Sequence, residues 1–334
     1  MKYIAYGPEG TAESLHVAEG PSPAPAAGEI LIEVIYAGVN RPDVLQRMGR
    51  YAPPPGASPI LGLEVAGRVA AVGADVSQGQ PGDAVCALVP GGGYAQLCVT
   101  PARHALPIPA GLSLAEASGL PENWFTVWAN LIDLAGLRSG ECVLIHGGSS
   151  GIGLAAIQLA RHVGARPIVT VGNDDKQRFC REFGAAEAIN YRTEDFVLRT
   201  REFTAGAGVD VVLDMVGGSY IPRNVALLRQ GGRLVFIAFL QSSRCELDFM
   251  PIMHRRLRVM GSTMRPRSVQ EKAAIRDALA REIWPAFASA RVRTHLFATF
   301  PFEQACEAHR LMESSRHIGK IVLQIGSSAT GAFA

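Results

Sequence analysis

The sequence predicts an α/β protein of two domains, a β-rich unit first and a doubly wound parallel sheet after it. Three observations carry that expectation. The chain has 334 residues, more than one hydrophobic core usually fills, since cores stop growing near ~250 to 300 residues. Its texture changes near residue 124, from short strands broken by Gly and Pro to apolar strands alternating with helical stretches. The segment Cys142 to Gly153 reads CVLIHGGSSGIG: an apolar strand, a turn of Gly and Ser, then the start of a helix.

Before the change, strands are expected at 30–38 (ILIEVIYAG), 63–73 (LEVAGRVAAVG), 82–89 (GDAVCALV) and 91–99 (GGGYAQLCV). In ILIEVIY, β-branched and aromatic residues crowd both faces, as in a strand buried on two sides. The segment 51–59, YAPPPGASP, is neither helix nor central strand, because Pro fixes φ, lacks a donor and restricts the residue before it. It reads as a stiff surface loop.

After the change, strands are expected at 141–148, 166–172, 187–191, 209–218, 232–240 and 258–264. Their starts lie about 20 to 25 residues apart, the length of strand, turn, helix and return, so the sheet is parallel with helices on both faces. One helix runs to Gly164; the next begins after Asn173 or Asp174 and stops at Gly184, with the capping asymmetry that helix ends favour. LFATF (296–300) and KIVLQIG (320–326) bring the chain back to strands of the first domain. The tail SSATGAFA, 327–334, has no pattern and is expected to fray.

Composition excludes several function classes. Lys and Arg number 32 against 30 Asp and Glu, a formal net charge of +2, which gives no broad electrostatic footprint for nucleic acid. The basic run His254 to Arg258 reads as a solvated helix end. The longest apolar run is Leu234 to Leu240, far below the roughly 20 residues a membrane span needs. The first residues break at Gly7-Pro8 before any apolar stretch of signal-peptide length, so a cytoplasmic protein is expected. Cys86, Cys98, Cys142, Cys180, Cys245 and Cys306 are scattered without metal-ligand spacing and read as reduced, mostly buried thiols.

The Gly/Ser turn carries the most chemistry. A dinucleotide pyrophosphate sits over backbone N–H groups at a helix N-terminus, and the turn's side chains must be small enough to let it approach. Gly147, Gly148, Ser149, Ser150, Gly151 and Gly153 meet that need. An NAD site would add Asp or Glu at the end of the second strand, where this chain has Val171 or Gly172 followed by Lys176. NADPH is therefore the expected cofactor. Asp174 or Asp175 is either a displaced ribose ligand or a helix cap, capping being favoured, and Lys176 taken alone reads as a solvated helix lysine.

The segments 37–67 (AGVNRPDVLQRMGRYAPPPGASPILGLEVAG), 143–165, 169–176, 188–196 and 317–323 (HIGKIVL) together make the sequence resemble the medium-chain dehydrogenase/reductase superfamily. Within it the likeness is to zinc-free quinone oxidoreductases, in the branch that includes the tumour-suppressor-induced enzyme, with zeta-crystallin more distant. The resemblance implies a GroES-like β-barrel domain of residues 1–123 and 296–334, a Rossmann domain of 124–295, and a substrate cleft at their junction. It also implies a homodimer made by pairing Rossmann sheets edge to edge, with Leu234 to Leu240 as the dimer strand. Zinc-dependent relatives hold a catalytic metal with a Cys where this chain has Asn40 and a His where it has Leu63, although Glu64 remains; Asn and Leu do not replace a thiolate and an imidazole. Only Cys86 and Cys98 fall where such relatives carry a four-cysteine lobe. No metal is expected.

The resemblance places Asn40, Tyr51 and Thr126 at the nicotinamide and substrate, with Asn40 alternatively a turn residue. Cofactor contacts are expected from Gly147, Ser149, Ser150, Gly151, Ile152, Gly153 and Gly172. Lys176 and Tyr191 fall at the 2′-phosphate, and Phe239 at the end of its strand, where a core role is the alternative. The activity implied is NADPH-dependent reduction of a small-molecule quinone or other electrophile. Competing readings are reduction of an enone or enoyl thioester, with Tyr51 as proton donor, and a non-catalytic NADPH-binding or RNA-binding protein.

Overall fold

The structure is a computed structural model that describes residues 1–327, so residues 328–334 of the tail lie outside the described residues. Two compact units are present, Met1–Phe125 with the chain from Arg265 onward, and Thr126–Met264.

The first unit is built around the strand Glu29–Val39. It pairs antiparallel with Glu64–Val72, Leu97–Pro101 and the C-terminal strand Lys320–Gln324. The sheet continues beyond Glu64–Val72 through Ala84–Leu88 to Ala105–Pro107, and beyond Lys320–Gln324 to Leu296–Pro301. Ile30, Ile32 and Val34 enter one core while Leu31 is half-buried and Glu33 exposed, so this stretch alternates and is not buried on two sides as expected; the register shift after Val34 keeps Ala37 and Val39 in the same core. Two register shifts against Glu64–Val72 bend the strand. The strand expected at 91–99 begins only at Leu97, because Gly91 and Gly92 take φ of 153° and 87° and turn the chain.

Residues 265–295 belong to this unit, not to the parallel-sheet domain where sequence reading placed them. Arg265 Nε donates to Pro90 O at 2.8 Å, Arg276 Nε to Ala105 O at 2.8 Å and Trp284 Nε1 to Pro107 O at 2.8 Å. The helices Val269–Glu282 and Trp284–Ala288 are thereby fastened to the antiparallel sheet. A helix following the last parallel strand does not show in its own sequence which sheet it covers.

The second unit is a six-stranded parallel sheet in the order Glu187–Asn190, Arg166–Val171, Cys142–His146, Val209–Asp214, Leu228–Phe236, Arg258–Gly261. In chain order that is 3-2-1-4-5-6, the doubly wound dinucleotide-binding order, with its switch point between Cys142–His146 and Val209–Asp214. The core is Leu144, Ile168, Ile189, Phe196, Val212, Val225 and Leu234 with their neighbours. Together the two units make an α/β fold of a GroES-like domain and a Rossmann domain.

Two expectations about the fifth strand are corrected. It spans Leu228–Phe236, so Phe239 lies beyond its end, 42% exposed, with its ring 5.0 Å from that of Phe236. It is also interior, flanked by Val209–Asp214 and Arg258–Gly261, so Leu234 to Leu240 cannot present a free sheet edge. That edge belongs to Arg258–Gly261. The basic run follows the end of the helix Met250–His254 with His254, Arg256 and Arg258 exposed, as expected, and only Arg255 turns inward, donating to the carbonyls of Leu228 and Val225 and so closing the C-terminal end of the helix Tyr220–Leu227.

Arg233, 6% exposed, makes a bidentate pair with Glu141 at 2.8 and 2.7 Å and donates to Ala135 O at 2.9 Å. Arg233→Ala is expected to lower stability by about 2–3 kcal/mol. A urea titration should show a lower midpoint at unchanged slope.

Candidate active site

In the second unit the strand Cys142–His146 is buried throughout and delivers the chain to Gly147, whose φ of 73° starts the turn. Ser150 caps the helix Gly151–His162: its Oγ accepts from Gly153 N at 3.0 Å and donates to Gly147 O at 2.8 Å. A Cβ at Gly148 would lie 2.4 Å from Val169 Cβ, and one at Gly153 would lie 2.4 Å from the carbonyl oxygens of Gly147 and Gly148. The turn thus packs down without side chains and leaves the first helical N–H groups, at Gly151 and Ile152, for an anion. These residues fit a dinucleotide pyrophosphate.

Beneath the turn runs a buried polar chain. His146 Nδ1 meets Thr170 Oγ1 at 2.9 Å and its Nε2 meets Asn224 Oδ1 at 2.8 Å; Asn224 Nδ2 donates to Asp214 Oδ2 at 3.0 Å. Because the Asn224 amide nitrogen is committed to Asp214, its oxygen accepts from His146, which puts the imidazole proton on Nε2. Burial holds the His146 pKa below its ordinary value, in keeping with a neutral ring. Asp214 Oδ1 in turn accepts from Val216 and Gly217 N–H, at 2.6 and 3.1 Å. One side-chain network therefore links the ends of three neighbouring strands at the switch point.

At the end of the second strand, Gly172 is ringed by Tyr191 and Arg192: a Cβ there would lie 3.0 Å from the Tyr191 hydroxyl and 3.7 Å from Arg192 Nε. Tyr191 is 43% exposed, and Lys176 only 8%, where burial lowers its pKa. Asn173, not either aspartate, caps the next helix by accepting from Lys176 N–H at 2.9 Å. Asp174 accepts from Asn190 Nδ2 at 2.7 Å, and Asp175 pairs on the surface with Arg178. Arg192 is the residue sequence reading missed here. Its only signal was its place beside Tyr191 at a strand end. Phe239 lies against Gly217, whose Cβ would meet its ring at 2.6 Å, and Thr126 sits in the helix Pro121–Val127 with its carbonyl accepting from Asn130 Nδ2.

In the first unit Asn40 precedes the helix Arg41–Arg47 and its N–H donates to Asp43 Oδ2 at 2.8 Å. It is both a turn residue and a member of a larger cluster. Its Nδ2 donates to Glu64 Oε1 at 2.8 Å, while Lys320 Nζ donates to Asn40 Oδ1 at 2.8 Å and to Glu64 Oε1 at 2.6 Å. Glu64 Oε2 accepts the Glu122 backbone N–H at 2.9 Å. Asp43 accepts also from Gly62 N and from the Tyr94 hydroxyl, which touches His309 Nε2; Arg47 donates to His309 Nδ1 and pairs with Glu313.

Burial pushes Glu122 up to about 8, helped by the charges of Glu64 and Asp43, and pushes Asp43 up to about 7 against the bonds it accepts. Tyr51 rises to about 12, first through burial and then through Glu122, with the Arg265 guanidinium 5.6 Å from its ring. Lys272, 6% exposed, donates to Arg265 O at 2.8 Å. Sequence reading found Asn40 and Tyr51 but not Asp43, Glu122, Arg265, Lys272 or Lys320, which are far apart in the chain.

The chain matches two families, the alcohol dehydrogenase GroES-like domain over residues 26–110 and zinc-binding dehydrogenase over 151–280. A crystal structure of an NAD-dependent alcohol dehydrogenase is 31% identical, with a TM-score of 0.84, covering 98% of this chain and 100% of that one. The chain belongs to the medium-chain dehydrogenase/reductase family. Escherichia coli quinone oxidoreductase complexed with NADPH is 29% identical to this family member, with a TM-score of 0.85 over 97% of this chain and 100% of that one. The CurK enoyl reductase is 29% identical, TM-score 0.84, over 97% and 99%. Among curated proteins, a mycocerosic acid synthase-like polyketide synthase of Mycobacterium tuberculosis (strain ATCC 25618 / H37Rv) is 33% identical over 317 residues, 95% of this chain; the chain spans only 15% of that protein's length.

Zinc does not fit this member of the family. Among the described residues no group of three or more His, Cys, Asp or Glu side chains is disposed to hold a metal, and the side chains beside Glu64 are an amide and an ammonium. No helix among the described residues is long and apolar enough to cross a membrane.

Two outcomes are expected. Incubation with a strong chelator should leave turnover unchanged, and elemental analysis of the purified protein should find no stoichiometric zinc. Glu122, raised from 4.5 to about 8, contributes stability that is full below its unfolded pKa and is lost as pH rises through its folded one. Denaturant melts of Glu122→Gln from pH ~5 to ~8 should show a shallower fall of stability than wild type.

Proposed function

We propose that this protein reduces quinones with NADPH. The observation that carries the reading is the Asn40 amide locked between Glu64 and Lys320, where zinc-dependent relatives carry a metal ligand. Bound NADPH supplies a hydride. The chain supplies binding and hydrogen bonds, and a quinone accepts hydride without metal polarisation. One Asn40 N–H is committed to Glu64, which leaves the second to donate to a substrate carbonyl as it gains negative charge. Tyr51, raised to about 12, keeps its proton and acts as a second donor. NADPH over NADH is favoured by Tyr191 and Arg192 around Gly172, by Lys176 in the first turn of the helix that follows, and by the absence of an acidic residue at Val171 and Gly172.

Reduction of a conjugated alkene is the second reading. The likeness to an enoyl reductase favours it, and so does Glu122, a half-buried carboxyl that desolvation raises to about 8 and thus a reservoir for the proton such a product needs. We also propose a homodimer joined along the free edge of the strand Arg258–Gly261.

Stopped-flow absorbance should show fast NADPH oxidation by an ortho-naphthoquinone and slow oxidation by an enoyl thioester; the reverse order would move the alkene reading ahead. Lys176→Ala and Arg192→Ala should each raise the KM for NADPH about tenfold, ~1.4 kcal/mol, with NADH little affected.

A further inference from the structure

Lys320 sits at the centre of the first unit's polar cluster. It opens the C-terminal strand, and the antiparallel register that sets Ile321 opposite Val39 brings its side chain beside Asn40. Nζ donates to Glu64 Oε1 at 2.6 Å and Asn40 Oδ1 at 2.8 Å, and lies 3.5 Å from Val39 O. Its three donors are thus directed at protein groups. Glu64 is wholly buried, and Gly38 is needed to admit it, since a Cβ there would lie 2.1 Å from Glu64 Oε1.

We propose that Lys320 is a positioning residue for the reaction, and that with Glu64 it dictates which way the Asn40 amide faces. An ammonium only donates and a carboxylate only accepts, so Oδ1 must face Lys320 and Nδ2 must face Glu64. A turned amide would set oxygen against carboxylate and nitrogen against ammonium. The charge pair therefore selects one of two nearly isosteric orientations and fixes where the second Nδ2 proton is offered. This inference rests on the reading of Asn40 as donor to the substrate carbonyl.

The decisive variant removes both charges, Lys320→Met/Glu64→Leu, because Lys320→Met alone leaves a buried carboxylate unpaired. With wild-type enzyme, NADPH and the naphthoquinone as reference, kcat should fall roughly tenfold with KM little changed, as for a bond that strengthens in the transition state. Adding Asn40→Ala should cost nothing further, whereas Asn40→Ala alone should match the paired variant. Lys320→Arg, which keeps the cation and its donors, should stay within about threefold of wild type. Nuclear magnetic resonance of protein labelled at asparagine nitrogen reads the amide without turnover: the Asn40 side-chain protons should exchange with solvent slowly in wild type and faster in the paired variant. Wild-type kcat in the paired variant, multiplicative losses on adding Asn40→Ala, or unchanged Asn40 exchange would each overturn the proposal. Wild type that fails to oxidise NADPH with any electrophile offered refutes the functional reading instead, and the exchange measurement still decides the role of Lys320.

Discussion

Glu64 is a charge that the first unit buries completely, and much of that unit is arranged around answering it. Taking a carboxylate out of water carries a penalty of several kcal/mol, offset only by close and well-directed partners. Here the partners come from three distant stretches of chain: the Asn40 amide, the Glu122 backbone N–H and the Lys320 ammonium. Meeting them requires Gly38 to have no side chain and the C-terminal strand to return beside Glu29–Val39. Closure of the sheet and neutralisation of Glu64 are thus one event.

The second unit handles buried polarity differently. Its network from Thr170 through His146 and Asn224 to Asp214 uses neutral donors and acceptors in alternation, with a single carboxylate at the end that is held by two backbone N–H groups. Such a chain ties strand ends together without needing a counter-cation. It leaves the carboxyl ends of the strands stiff at the switch point, where the glycine turn must present its N–H groups in fixed positions.

The chemistry follows from this division of labour. One unit offers helix-terminal N–H groups that fit an anion, and in the proposed reaction the other offers hydrogen-bond donors, the Asn40 amide among them, held by buried charge. Where a metal polarises a carbonyl by charge alone, an amide and a phenol do so only along their N–H and O–H directions, so orientation has to be held. Burial raises the carboxyl groups of Asp43 to about 7 and of Glu122 to about 8 within the same cluster.

The parallel sheet, the Gly/Ser turn and the helix ends at Gly164 and Gly184 were legible in the sequence because each depends on local rules: side-chain period, the need for small residues in a tight turn, and capping. Asn40 and Tyr51 became legible through family resemblance. Asp43, Glu122, Arg265, Lys272 and Lys320 did not, because a buried charge pair leaves no local pattern; Lys320 lies 256 positions from Glu64 and looks like any strand-end lysine. For the same reason the helices after Arg265 were placed with the wrong sheet, and the fifth strand was mistaken for an edge. The sequence by itself determined which elements form and that one turn accepts an anion, since backbone geometry and side-chain size act over a few residues. Only the tertiary structure decided which strand is interior, which amide faces which charge and how tightly each proton is held, because those depend on distance and burial between residues that the chain order keeps apart.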